Sequence, residues 1–241
     1  MSRNGSVVQQ IRSSLFSGLW ALWTAAFAPV ILVIWLCGTP VTWVRRATRV
    51  WARGFLFALK WVVGLDYIAR GRENLPSEPC LIVANHQSTW ETIACLVLFP
   101  DVAIVTKKEL VKLPVFGWFL RNSPMIIIDR ESGSKAIRQM VEEGTAALAQ
   151  GRPVLIFPEG TRSDPSARVE FKRGVELLYA RLSCPVMPVA LNSGTYWGTG
   201  RKVKAPGTII VSCLPAIPAG LPPQAAMKQA EQMIQAELDT M

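Results

Sequence analysis

The sequence predicts an α/β fold with a mostly parallel central sheet flanked by helices, preceded by an N-terminal membrane-associated two-helix segment. From Asp66 onward, short β-branched apolar runs alternate with segments of helical periodicity. Before that point, residues 13–44 contain no charged residue, and a basic, tryptophan-rich segment follows them. We therefore divide the chain into membrane-binding helices, residues 1–65, and an α/β domain, residues 66–241.

The uncharged segment is long enough to cross a membrane. Its core, residues 15–37, would extend about 34 Å as a helix, against a hydrocarbon layer of about 30 Å. Pro29 lies in the middle and is expected to kink it. A cleaved signal peptide is the competing interpretation, because Ala26-Phe27-Ala28 resembles a cleavage site. The apolar run continues through residues 31–36, which favours an uncleaved helix that either spans the bilayer or enters one leaflet.

Residues 43–63 predict a second, basic amphipathic helix. At 100° per residue its basic side chains fall within an arc of about 100°. That arc contains Arg45, Arg46, Arg49, Arg53 and Lys60, and outside it lie Trp43, Val50, Trp51, Phe57 and Trp61. Such a helix is suited to a lipid interface, although a helix packed on the domain with a solvated basic face would show the same pattern. The basic flank predicts that residues 45 onward lie on the cytoplasmic side of the membrane.

The charge distribution favours lipid over nucleic acid as a partner. Residues 1–65 contain seven basic and no acidic residues, whereas the other 176 contain 19 basic and 17 acidic residues. The net charge of +9 therefore belongs mainly to the tryptophan-rich segment, which indicates anionic lipid. Five cysteines without a Cys-x-x-Cys motif and a single histidine indicate neither a disulfide framework nor a metal site.

The α/β domain is predicted to contain six strands and four helices. The predicted strands are residues 80–84, 102–106, 125–129, 153–157, 186–191 and 208–213. The predicted helices are residues 88–98, 134–149, 173–183 and 224–239. Because parallel strands bring their carboxyl ends to one edge of a sheet, we expect ligands to bind there. The sequence has no nucleophile-elbow, Walker or dinucleotide-binding glycine motif.

The only histidine, His86, falls in Asn-His-Gln-Ser-Thr-Trp-Glu directly after the first predicted strand. A neutral imidazole is the usual general base near neutral pH, and a carboxylate close by, here Glu91, would fix its tautomer. The alternative is structural, because Ser88-x-x-Glu91 also matches a capping box at a helix start. From the residues alone, catalysis and helix capping remain two open interpretations.

Three further strand ends carry polar groups. Phe-Pro-Glu-Gly-Thr-Arg-Ser follows the strand 153–157; its Gly160 permits close backbone approach and its Arg162 offers a planar fork for phosphate. Lys107 and Arg130 follow two other predicted strands. Each is normally a solvated charge, but several basic groups at one sheet edge indicate an anion site.

In this order and spacing, these motifs resemble the glycerolipid acyltransferase family, over roughly residues 60–215. The His86 motif is similar to the family's His-x4-Asp motif, with Glu91 in place of the usual Asp, and residues 157–163 are similar to its Glu-Gly-Thr-Arg motif. The resemblance implies that His86 is the base and Glu91 its orienting carboxylate. It also implies a substrate-binding set consisting of Lys107, Arg130, Glu159, Gly160, Thr161 and Arg162.

The resemblance further implies acyl transfer from acyl-CoA or acyl-carrier protein to the free hydroxyl of lysophosphatidate, with no other cofactor. Three alternatives stay open at this point. The acceptor could be another lysophospholipid or a lyso-aminolipid, water could replace the acceptor in a hydrolase, or the chain could be a non-catalytic lipid-binding module.

Overall fold

A computed structural model describes residues 6–200 and 202–241, apart from the side chain of Arg130. Its strands form one seven-stranded sheet in the order β1-β7-β6-β2-β5-β3-β4. Neighbouring strands in the described sheet are parallel, except that β6 and β7 are antiparallel. The predicted mostly parallel sheet is confirmed. The strands are β1 Leu65–Arg70, β2 Leu81–Ala84, β3 Ala103–Lys107, β4 Ile126–Ile128, β5 Val154–Ile156, β6 Val186–Leu191 and β7 Gly207–Cys213.

The helices cover both faces of this sheet and the N-terminal segment. They are α1 Val7–Ala25, α2 Ala28–Leu36, α3 Val41–Ala58, α4 Trp90–Leu98, α5 Phe116–Asn122, α6 Ser134–Ala149, α7 Arg173–Leu182, α8 Gly194–Trp197 and α9 Pro223–Leu238. The four helices predicted in the α/β domain are all present. Strand β1 was not predicted, because its sequence Leu-Asp-Tyr-Ile-Ala-Arg has no continuous apolar run.

Helices α1 and α2 occupy the predicted apolar segment, and the chain breaks between them close to the predicted kink. Pro29 lies in the first turn of α2, where a missing backbone N–H leaves no helical hydrogen bond unmade. By length and composition, residues 7–36 could cross a membrane, and only 11% of their most apolar window is buried.

The N-terminal helices share a hydrophobic core with the α/β unit. Phe16 of α1 is fully buried and packs edge-to-face against Phe55 of α3, with ring centroids 5.5 Å apart, and against Trp197 of α8 at 6.1 Å. The opposite surface of these helices is apolar and exposed, as expected for a lipid-facing surface. Its exposed side chains include Val8, Ile11, Leu15, Leu19, Leu22, Leu32, Val33, Trp35 and Leu36.

The single basic face predicted for residues 43–63 is wrong in part. Arg49 pairs with Asp101 of the α/β unit at 2.7 Å, so it faces the protein. Trp51 is buried, because a large apolar ring gains more in the core than at the surface. Arg46 and Arg53 remain exposed on the outer side of α3. We call these two arginines the outer basic pair.

The C-terminal end of the predicted basic helix also differs from the expectation. After Ala58 the chain forms a π-helical turn over Leu59–Val63, which changes the angular spacing of the side chains. Lys60 consequently pairs with Asp66 at 2.7 Å, just beyond this turn.

Candidate active site

His86 follows the carboxyl end of β2 and is held in place from several sides. The preceding Asn85 exchanges two hydrogen bonds with the backbone of Leu191 at the end of β6, at 2.8 and 2.9 Å. The imidazole ring stacks on Phe157, with centroids 4.3 Å apart and an interplanar angle of 18°. Its Nδ1 lies 2.8 Å from Glu91 Oε1. These contacts fix the ring and leave Nε2 as the nitrogen that can accept a proton.

Glu91 is fully buried, and both of its carboxylate oxygens accept hydrogen bonds. Besides His86 Nδ1, Oε1 accepts from the backbone N–H groups of Gln87 at 2.7 Å and Ser88 at 2.5 Å. Oε2 accepts from the hydroxyl of Ser193 at 2.7 Å. Charge-assisted hydrogen bonds of this kind are what a buried carboxylate requires.

In the structure, Glu91 makes a contact of each kind that the two interpretations expect. Helix α4 begins after Thr89, and Ser88 Oγ accepts from Trp90 N–H at 3.1 Å, so the full capping box is not formed. Half of it is formed, because Glu91 still accepts the Ser88 N–H. The same carboxylate therefore supports the helix start and contacts the imidazole.

The loop after β5 holds the backbone of His86. Glu159 Oε1 accepts the His86 N–H at 2.7 Å, and Ser163 donates its N–H to the His86 carbonyl at 2.8 Å. Glu159 is buried, and this burial raises the pKa of its carboxyl group to about 7. Glu159 does not belong to the described wall of the adjacent cavity. Its position behind His86 therefore indicates a supporting contact.

An apolar cavity of about 570 Å³ opens beside His86. Of the predicted substrate-binding residues, Lys107, Gly160, Thr161 and Arg162 line it together with His86. The Arg130 side chain lies outside the described residues. The rest of the wall is mainly apolar, with Trp20, Trp51, Ile93, Ile104, Val105, Leu110, Leu113, Pro114, Phe116 and Phe157, and it also includes Thr24, Thr89, Thr92, Thr106 and Thr199. Trp20 and Trp51 belong to the N-terminal helices, which therefore form part of the cavity.

A second, more polar cleft of about 270 Å³ adjoins this cavity, and we call it the outer cleft. It shares three wall residues with the cavity: Thr89, Arg162 and Thr199. Its other wall residues are Ser88, Trp197, Gly198, Gly200 and Lys202. Within residues 6–200 and 202–241, no three His, Cys, Asp or Glu side chains are grouped so as to hold a metal ion.

Three contacts of the site were missed in the sequence. Phe157 was part of a motif but was given no role, although its ring supports His86. Asn85 is part of the histidine motif, but the sequence does not indicate its hydrogen bonds with the backbone of Leu191. Ser193 lies two residues beyond the predicted strand 186–191. This position, a small polar residue just after a strand, is the only sequence feature that could have linked it to the site.

A histidine–carboxylate pair lies beside an apolar cavity with basic groups, an arrangement that is chemically suited to general-base chemistry on a lipid-like substrate. The chain belongs to the acyltransferase family, whose model matches residues 67–192. It is 38% identical over 218 residues to the 1-acyl-sn-glycerol-3-phosphate acyltransferase of Pseudomonas aeruginosa, covering 89% of this chain and 83% of that protein.

A second relative agrees with this assignment, and a solved structure has a similar fold. The chain is 34% identical over 221 residues to the 1-acyl-sn-glycerol-3-phosphate acyltransferase of Saccharomyces cerevisiae, covering 90% of this chain and 72% of that protein. Its fold is similar to the crystal structure of the 1-acyl-sn-glycerophosphate acyltransferase PlsC from Thermotoga maritima. The TM-score is 0.75 at 22% identity, and the match covers 96% of this chain and 97% of that one.

Proposed function

We propose that this protein transfers a fatty acyl group from a thioester donor to the free hydroxyl of 1-acyl-glycerol-3-phosphate, forming phosphatidate in phospholipid biosynthesis. The donor is acyl-CoA or acyl-carrier protein. The observation that carries the proposal is the 2.8 Å contact between His86 Nδ1 and Glu91 Oε1, at the wall of a cavity that Lys107 and Arg162 also line.

The reaction uses His86 first as a base and then as an acid. With Nδ1–H directed at Glu91, the Nε2 atom accepts the proton of the acceptor hydroxyl. The hydroxyl oxygen then attacks the thioester carbonyl carbon, the carbon–sulfur bond breaks, and Nε2 returns the proton to the departing thiolate. Glu91 stabilises the imidazolium that exists between these steps.

The acceptor phosphate binds to Lys107 and Arg162. Both side chains are exposed, and neither pairs with a carboxylate among the described residues. A phosphate beside them forms charge-assisted hydrogen bonds, and the arginine fork can bind two phosphate oxygens together. The apolar wall of the cavity accommodates a fatty acyl chain.

The N-terminal helices keep the enzyme at the inner (cytoplasmic) membrane, with the α/β domain in the cytoplasm. Their exposed apolar side chains and the outer basic pair support this location. The lysolipid acceptor and the phospholipid product both reside in the same membrane.

The test is an acyl-transfer assay with purified wild type and His86→Ala. We expect phosphatidate from lysophosphatidate and acyl-CoA, and a loss of at least about 10² in turnover for His86→Ala, the lower end of general-base effects. Parallel reactions contain another lysophospholipid, a lyso-aminolipid, or no acceptor. If acyl transfer to the other lysophospholipid or to the lyso-aminolipid is faster than to lysophosphatidate, that lipid is the substrate instead. Thioester cleavage that proceeds at the same rate with and without an acceptor would identify a hydrolase.

A further inference from the structure

The outer cleft differs from the cavity in its charge and polarity. Arg162 and Lys202 line it, and no acidic side chain belongs to its described wall. The described part of the outer cleft therefore presents positive charge and hydrogen-bonding groups to whatever occupies it.

The proposed reaction requires two anionic substrates to meet at His86, and their phosphates lie at different distances from the reacting atoms. In lysophosphatidate the phosphate is on the carbon next to the one that bears the free hydroxyl, so it must lie close to His86. In either thioester donor the phosphate is separated from the thioester by the whole pantetheine arm. The donor phosphate must therefore bind farther from His86 than the acceptor phosphate does.

Resting on the proposed function, we infer that the outer cleft binds the phosphopantetheine arm of the donor, with Lys202 as a ligand of its phosphate. The cleft and the cavity meet at Thr89, Arg162 and Thr199, so a donor lying in the outer cleft can extend its acyl chain into the apolar cavity. Lys107 lines only the cavity and Lys202 lines only the cleft. The two lysines therefore lie in different parts of the site, and each is available to one of the two phosphates.

The experiment compares four full-length enzymes: wild type, Lys202→Ala, Lys107→Ala and Lys228→Ala. Lys228 is an exposed lysine on α9 and serves as the charge control. For each enzyme, KM is measured for acyl-CoA and, separately, for lysophosphatidate. We expect Lys202→Ala to raise KM for acyl-CoA by about 10-fold or more without changing KM for lysophosphatidate, because one charge-assisted phosphate contact is lost. Lys107→Ala should show the opposite pattern, and Lys228→Ala should match wild type.

A donor without a phosphate identifies which substrate Lys202 contacts. Acyl-pantetheine should be used equally well by wild type and by Lys202→Ala, because the lost contact is never made. A rise in KM for lysophosphatidate in Lys202→Ala would assign Lys202 to the acceptor, and no change in either KM would remove it from both sites. Wild type that transfers no acyl group to lysophosphatidate would instead refute the proposed function itself.

Discussion

The hydroxyl of Ser193 donates a 2.7 Å hydrogen bond to Oε2 of Glu91, and both residues are fully buried. They are 102 positions apart in the sequence and meet only in the folded chain. A glutamate has one more rotatable bond than an aspartate, so its carboxylate needs an additional contact to hold one orientation. With Oε1 already occupied by His86, Gln87 and Ser88, the Ser193 hydroxyl fixes the second oxygen.

We predict that Ser193→Ala reduces kcat by about 10-fold and leaves both KM values nearly unchanged, because a charge-assisted hydrogen bond contributes roughly 1.5–3 kcal/mol. Ser193→Thr should recover part of the loss. His86 is the only histidine in the chain, so ¹⁵N-histidine labelling yields signals from this one ring. In Ser193→Ala these signals should change from those of the Nδ1–H tautomer toward those of a mixture of the Nδ1–H and Nε2–H tautomers. Unchanged signals together with a reduced kcat would show that Ser193 acts elsewhere.

Glu91→Gln is predicted to cost about as much turnover as His86→Ala. The amide lacks the negative charge that stabilises the imidazolium, and its NH₂ group cannot accept the bonds that now converge on the carboxylate. The measurements are kcat and the free energy of unfolding. A loss of about 1 kcal/mol in stability with nearly normal kcat would assign Glu91 to helix capping alone.

The phosphate contact of Arg162 is tested with two acceptors. For lysophosphatidate, Arg162→Ala should reduce kcat/KM by roughly 10- to 150-fold, the equivalent of one charge-assisted hydrogen bond of about 1.5–3 kcal/mol. Monoacylglycerol has the hydroxyl but no phosphate, so its low kcat/KM should be nearly unaffected. Arg162→Lys should restore only part of the activity, because an ammonium lacks the planar fork. Equal losses with both acceptors would contradict a role in phosphate binding.

Burial of Glu159 predicts a pH dependence of stability. Its pKa is raised to about 7 in the folded protein, so between the ordinary carboxyl range and pH 7 the folded state binds more protons than the unfolded state. The contribution of Glu159 to the free energy of unfolding must therefore fall as pH rises through that interval. Glu159→Gln should flatten this part of the profile, measured by chemical denaturation from pH 5 to pH 8. Parallel profiles for the two proteins would show that another group is responsible.

The outer basic pair is expected to control attraction to anionic lipid. Replacing Arg46 and Arg53 together by alanine should weaken association with anionic vesicles by about 1 kcal/mol per charge. Arg49→Ala is the matched control, because Arg49 is on the same helix but pairs with Asp101. Vesicle co-flotation at several salt concentrations measures the effect. Equal recovery of wild type on neutral and anionic vesicles would exclude this role.

Local features of this fold were predictable from the sequence, whereas contacts between distant segments were not. Strand β6 and helix α6 have the predicted bounds, because each combines a clear periodicity with distinct ends. The short helix α5 was missed, since seven residues give too few turns for a periodic signal. The separation of Arg49 from the outer basic pair depends on Asp101, which is 52 positions away and invisible to a helical-wheel argument.

Within the active site, the same distinction holds. His86 and Glu91 are five positions apart, so one motif showed both. The resemblance implies that Glu159 contacts substrate, but nothing in its motif indicated its hydrogen bond with the His86 N–H, which forms only when β2 and β5 pair in the sheet.

Helix α1 has different neighbours on its two sides. Trp20 and Thr24 line the cavity, whereas Leu15, Leu19 and Leu22 on the same helix are exposed on the apolar surface. An α-helix with its side chains is only about 10 Å across. With α1 in the membrane as proposed, a lysolipid leaving its leaflet travels about one helix diameter to reach the cavity. Over that distance its hydrocarbon tail need never be hydrated, which would cost about 0.8 kcal/mol for each methylene.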